Sequence, residues 1–236
     1  MFWWRNEVRP GVSVAFTDTD AGNLALHVGD NPAEVMARRD ELNRAAGLGA
    51  DQFQYMEQVH GNTVEFIEVN GPGPTADAMV SAAAPRGAAQ PLAVMVADCV
   101  PVVFVGSGAG NGHVLAVAHA GRPGVASAVV AATVEEMRSR GAVGISAWLG
   151  PSICGSCYEV PEQLQAEVAA RVPATRSTTS WGTPALDLPA GVRAQLAALD
   201  VPVEYSGECT LENDSLFSYR RNSRTGRFAG LVWTHD

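Results

Sequence analysis

The chain has 236 residues, 47% apolar and 17% charged, a balance that excludes a disordered chain and leaves ample material for a core. All of its basic residues are Arg, 16 against 25 acids, and the formal charge of -9 argues against a general nucleic-acid or anionic-membrane surface while allowing local Arg sites for phosphate or carboxylate. The opening MFWWRNEVRP lacks the pattern of a secretion signal, and the longest near-apolar run, residues 91–105, carries Asp98, so a cytoplasmic protein with no membrane partner is expected.

The first predicted element is a helix. Asn31 is placed to cap it, Pro32 stands at its first position, Glu34 lies in its first turn, and Gly47 ends it. Three strands are then predicted, over residues 54–64, 92–105 and 113–119. GSGAGNG joins the last two as a hairpin or as near neighbours. After His119 the turn AGRPG leads into one helix, with Val125, Val129, Ala132 and Met137 on one face before Gly141. A strand around ISAWLG, a helix over residues 161–172 and a polar loop over residues 173–185 follow. A short helix over residues 192–199 and strands over 203–205 and 228–232 complete the chain. At roughly 150 residues per domain the length fits one large domain or two small ones. No linker, composition break or repeat divides it, so the expectation is one α/β domain over residues 1–236, with mixed sheets and helices packed outside.

Four cysteines in a chain of this length are too few for a disulfide framework and point to thiols or metal ligands. His60 and His119 each close an apolar stretch before a Gly, and Cys99 closes the stretch between them. Strand ends in an α/β fold bring distant side chains into one crevice, and two imidazoles with one thiolate suit Zn²⁺, leaving a fourth position for water or substrate. The 39- and 20-residue separations match no local metal motif, and a rim His or a small core Cys is the ordinary use of such residues. Cys154 and Cys157 form a CxxC, but a zinc ribbon needs a second such pair and a redox pair belongs at a helix start, so they are read as turn cysteines. Arg220, Arg221, Arg224 and Arg227 crowd the stretch SYRRNSRTGR, where guanidinium forks suit phosphate or carboxylate and one is expected to face the crevice. Arg38 and Arg39 in the first helix default to the surface.

The blocks EQVHGNTV, TADAMVS, PLAVMVADCVPVVF, VLAVAHAG, WLGPSICGSCYEV and CTLENDSLFSYRRNSRTGRFAGLVW stand in the order seen in the YfiH family. This family is also called the laccase-domain, polyphenol oxidase or peptidoglycan editing factor family, and it includes the human purine nucleoside enzyme FAMIN. The resemblance runs from Val12 to Trp233. It implies an α/β fold related to a bacterial cysteine deamidase toxin, and a zinc site on His60, Cys99 and His119. The implied activities are phosphorolysis of adenosine, inosine, guanosine and methylthioadenosine, and deamination of adenosine. It also carries Asn23, Arg39 and Arg221 over as candidate contacts to substrate or phosphate. The chain departs from the family where HAGWRG is usual: it has His119-Ala120-Gly121-Arg122-Pro123-Gly124. Pro123 offers neither N–H nor charge, so Arg122 would have to serve phosphate from a shifted position. Arg38 replaces a family Asn beside Arg39, and Cys154 replaces a usual Gly, while Cys157 matches the family's Cys-Tyr-Glu-Val block.

A zinc-activated water attacking C6 of adenine would need a proton shuttle. Asp98 is adjacent to Cys99, but strand alternation points the two side chains apart, and the shuttle stays unassigned. Three rival functions use the same residues. One is a copper polyphenol oxidase with Met95 as a weak axial ligand, although five histidines without a His-X-His pair are too few for a multicopper enzyme. Another is a metal-free amide hydrolase with Cys99 as nucleophile and His119 as base. The last is a non-enzymatic protein whose Arg-lined crevice senses nucleotides or cell-wall fragments.

Overall fold

The computed structural model describes residues 1–83, 88–110 and 112–235. In chain order the elements are β1 (Phe2–Arg9), β2 (Val12–Thr17), α1 (Pro32–Ala46), β3 (Val64–Phe66), β4 (Ala78–Ala82), β5 (Leu92–Val96), β6 (Val100–Ser107) and β7 (His113–Ala120). They continue through α2 (Arg122–Ala126), α3 (Val129–Ser139), β8 (Val143–Leu149), α4 (Glu162–Arg171), β9 (Arg176–Thr178), β10 (Pro184–Leu186), α5 (Leu188–Ala198), β11 (Val203–Tyr205) and β12 (Phe228–Thr234).

Two sheets stack face to face with helices on both outer sides, as the α/β reading with mixed sheets requires. The four-stranded sheet runs β1-β2-β12-β5 and is antiparallel throughout. The six-stranded sheet runs β11-β8-β6-β7-β4-β3, with parallel pairs at its two edges and antiparallel pairs inside. Successive side chains of a strand point to opposite faces, and the buried residues sort accordingly. Val102 and Phe104 of β6 pack with Val134 and Met137 of α3 and Val192 of α5, whereas Val103 and Val105 pack with Val14 and Phe16 of the other sheet. On the far side of the four-stranded sheet, Leu231 and Trp233 of β12 meet Leu42 of α1. Strands covered on both faces read as continuous apolar runs, which is why residues 92–105 show no alternation in sequence.

That run is two strands, not one. Asp98, at φ 88°, breaks it between β5 and β6, and the two halves belong to different sheets. The segment 97–99 is therefore the crossing from one sheet to the other. The predicted strand over residues 54–64 is mostly extended loop, with isolated bridges at Gln54 and Glu57 before β3. The predicted helix after His119 is split at Ala128, which adopts φ 63° between α2 and α3. The 173–185 loop holds a short ribbon of β9 and β10. β1, β2 and β4 have no counterpart in the sequence reading.

Two local expectations hold, those of the first helix and of the hairpin. α1 starts on the Asn31 side chain, which accepts the Ala33 N–H, and ends at Gly47 in the left-handed region, where the missing Cβ removes the steric penalty. β6 and β7 pair antiparallel across the GSGAGNG connection. Among the described residues, no helix is long and apolar enough to cross a membrane.

Candidate metal centre and its cavity

Three side chains from three separate segments converge at one end of the stacked sheets. His119 is next to last in β7 and follows Leu115 and Val117 on the face that packs against the other sheet. Cys99 sits at the crossing between β5 and β6. His60 lies in the QVHG turn at φ 62°. One ligand atom from each of the three lies within 4.8 Å of the others. Cys99 Sγ is 3.9 Å from His60 Nε2, and the two imidazoles meet edge to face at 4.6 Å between centroids.

Asp77, wholly buried just before β4, organises this arrangement. One carboxylate oxygen accepts from His119 Nδ1 at 2.8 Å and from the His60 amide at 2.8 Å, and the other accepts from the Gly61 amide at 2.5 Å. A carboxylate behind an imidazole fixes its tautomer and leaves Nε2 free to act as a ligand. The same carboxylate holds the strained His60 turn in place. Gly121 completes the fit, because a Cβ there would lie 2.8 Å from His60 Cδ2 and 3.2 Å from Cys99 Sγ.

The electrostatics follow from the geometry. Burial alone would raise the Cys99 thiol, but the charge of His119 and hydrogen bonds from His119 and His60 bring it down to about 6. Burial likewise works against protonation of His119, while Cys99 and Asp77 push it up to about 9. Asp77 lies below its ordinary range: burial opposes ionisation, but the bonds from His119 and Gly61 outweigh it. Two nitrogens and a readily ionised sulfur form a donor set suited to zinc or copper. These three residues could hold such an ion.

The cluster opens into a cavity of about 630 Å³, whose walls include Arg122, Tyr158, Tyr219, Arg220 and Arg227. The Arg227 guanidinium is depressed by burial and supported by Cys99 and Asp98. Arg220 stacks on the Tyr158 ring at 4.6 Å and donates to the Glu159 carbonyl at 2.8 Å. A second cavity of about 580 Å³ shares His27, Gln58 and Met95 with the first. Burial and the charges of Arg227 and Arg39 lower the His27 imidazole.

The other sequence candidates make contacts within the protein, most of them to backbone. Asn23 accepts the Ala25 and Arg227 amides and donates to the Ala25 carbonyl and to Asp30, so its amide pins two chain segments. Arg39 is buried rather than on the surface. Its fork takes the Leu24 carbonyl at 2.9 and 2.7 Å and lies 3.7 Å over the Tyr55 ring, on the wall of the second cavity. Arg221 binds the carbonyls of Thr210, Leu211, Asn213 and Leu216 and crimps that loop. Asp98 accepts from Thr210 Oγ1 and from the Arg220 amide, both at 2.7 Å, and so stabilises the kink that places Cys99. Met95 Sδ is engaged by Arg39 at 3.7 Å. Sequence reasoning missed Asp77, whose signal was an acid directly before a buried strand in TADAMVS, and Tyr158 and Tyr219 as cavity walls.

A family described as multi-copper polyphenol oxidoreductase laccase matches residues 6–235. The purine nucleoside phosphorylase ORF3 of Streptomyces griseus is 48% identical, with 93% of each chain covered. The purine nucleoside phosphorylase YfiH of Escherichia coli is 34% identical over 93% of this chain and 89% of its own. In fold, the chain is similar to the crystal structure of Neisseria meningitidis protein NMB0706, at a TM-score of 0.84 and 32% identity, covering 100% of this chain and 99% of that one. Matched along almost its whole length in sequence and in fold, the chain belongs to the laccase-domain family that contains YfiH.

Proposed function

We propose that this protein is a cytoplasmic zinc-dependent purine nucleoside phosphorylase that also deaminates adenosine, acting on adenosine, inosine, guanosine and methylthioadenosine with phosphate as co-substrate. The observation that carries this reading is the meeting of His60, Cys99 and His119 on the wall of a cavity also lined by three arginines and two tyrosines. The names of the Streptomyces griseus and Escherichia coli relatives support the same class of enzyme.

Held by His60, Cys99 and His119, zinc would supply Lewis acidity and lower the pKa of water toward neutrality. The chain's own residues do the rest. Asp77 holds the His119 imidazole through Nδ1 and the His60 turn through its backbone amides, so the donors are positioned before substrate arrives. Arg227 and Arg122 present guanidinium forks that bind phosphate and offset its charge as it approaches the anomeric carbon of a ribosyl-cation-like transition state. Arg122 lines the cavity near Tyr158, which supports its serving phosphate in place of the Arg usual in HAGWRG. Tyr219, 52% exposed, offers an aromatic face for a purine ring.

The test is incubation of metal-replete protein with adenosine, with and without phosphate. Inosine is expected with or without phosphate, whereas adenine, and hypoxanthine from that inosine, are expected only when phosphate is present to take up the ribose; absence of all three products overturns the proposal. A colourless, zinc-containing protein separates this reading from the copper oxidase, for which an intense blue absorption is expected.

One observation favours a second reading. Without metal, Cys99, His119 and Asp77 form a thiolate–imidazolium–carboxylate series of the kind that activates a cysteine nucleophile toward amides. Turnover that survives chelation and is abolished by a thiol reagent would select it.

A further inference from the structure

A second group of sulfur ligands lies on loops that wall the same cavity. Cys154, Cys157, Cys209 and Glu212 each offer one ligand atom, and all four atoms lie within 4.8 Å of one another. Cys154 and Cys157 flank a tight turn in which the amides of Cys157 and Tyr158 both donate to the Cys154 carbonyl at 3.0 Å. Cys209 comes from the loop after β11, laid alongside by a parallel bridge to Ser152, with hydrogen bonds from Ser152 to Glu208 and from Thr210 to Ser152. The sequence reading as turn cysteines describes the CxxC itself. It did not foresee that Cys209 and Glu212 come up beside that turn.

The surroundings are those of a buried thiolate cluster. Cys157 and Cys209 are buried and pack with Ile153, while Glu212 reaches the site from the solvent side. The Cys154 amide donates to Cys209 Sγ at 3.4 Å, and the nearby amides of Leu211 and Glu212 also favour its ionised form. Several N–H donors aimed at one sulfur favour its anionic form. Without a cation the sulfurs oppose one another: burial and the neighbouring cysteines push the Cys157 and Cys209 thiols up.

We propose that Cys154, Cys157, Cys209 and Glu212 form a second metal site, a closed four-ligand Zn²⁺ site that ties the loop after β8 to the loop before β12. Three thiolates select a soft or borderline cation over Mg²⁺ or Ca²⁺, and four protein ligands leave no position for substrate, the mark of a structural site. Loading releases the protons of the three thiols to solvent and oxidises nothing. The clamp acts on the cavity, since the tied loops carry Ile153 and Tyr158 on one side and Tyr219 and Arg220 on the other. Thr210, next to Cys209, holds Asp98 at the kink beside Cys99.

The full chain, purified under reducing conditions without chelator, is analysed for metal as wild type, Cys99→Ser and the double variant Cys157→Ser/Cys209→Ser. Two zinc per chain are expected in the wild type and one in each variant. If the His60–Cys99–His119 centre takes no metal, wild type and Cys99→Ser each keep one, so failure of that reading is distinguishable from failure of this one. Cys99→Ser loaded with Co²⁺ reads the new site even if the double variant does not fold. An intense thiolate-to-cobalt charge-transfer band and slowed reaction of three thiols with a thiol reagent are expected. A Cys99→Ser protein that binds neither Zn²⁺ nor Co²⁺, or whose remaining cysteines form a disulfide in place of metal, overturns the proposal.

Discussion

The two cysteine clusters of this molecule stand at the margins of one cavity and differ in every property that sorts metal sites. Around Cys99 a single sulfur meets two imidazoles, a buried carboxylate braces one ring and the backbone turn of the other, and the front opens into about 630 Å³ of space. Around Cys209 three sulfurs and one carboxylate surround a common centre over an apolar base. Ligand number and openness, more than the identity of the donors, separate a site that can turn over a substrate from one that holds two loops together.

Substitutions can break this contrast. The largest effect is expected from Cys99→Ser. Losing a ligand at the open centre should lower kcat/KM for phosphorolysis on the order of 10³-fold, about 4 kcal/mol of transition-state stabilisation, with little change in melting temperature. Steady-state kinetics beside a thermal melt checks both halves. Asp77→Asn keeps the shape but weakens the brace behind His119 and His60, and a loss of about 10- to 100-fold in metal affinity at that centre is expected, measured by competition with a chelating dye. Arg227→Gln leaves both clusters intact and removes a charged fork from the cavity. The KM for phosphate should rise about tenfold with metal content unchanged.

The finest distinction is one of pH. In metal-free protein the Cys99 thiol titrates near 6 rather than at the ordinary thiol value of 9, so its thiolate is present above about pH 6 and lost below it. Iodoacetamide should therefore modify Cys99 at a rate that climbs through pH 6 and levels off by neutrality. Cys157 and Cys209 are shifted in the opposite direction and should stay unmodified at pH 7. Peptide mapping across pH separates the two populations, and equal labelling would erase the contrast.

Much of the scaffold was legible where the signal is local. α1 announces both of its ends through Asn31, Pro32 and Gly47, residues that act on the backbone next to them. The break at Ala128 has no such marker, because Ala in the left-handed region is held there by packing and not by its own preference. The 92–105 run hid its division because both of its halves are buried, and its one clue, a charge at Asp98, reads equally as a site residue. The three residues of the open centre were legible weakly through their places at strand ends and strongly through resemblance to a family, since they come from three separate segments that only the folded chain brings together. Asn23 and Arg221, carried over from the family, engage backbone groups in this structure.

Cys99 also occupies the point where the chain leaves one sheet for the other. The two residues after it, Val100 and Pro101, already pair with Ala120 and His119 of β7, and Asp77 ties the His60 turn to the same sheet, so all three donors ride on one ladder while β5 alone runs on into the other layer. The trio should therefore outlast any loosening of the four-stranded sheet, and on heating the fast labelling of Cys99 should vanish only together with the β6–β7 pairing.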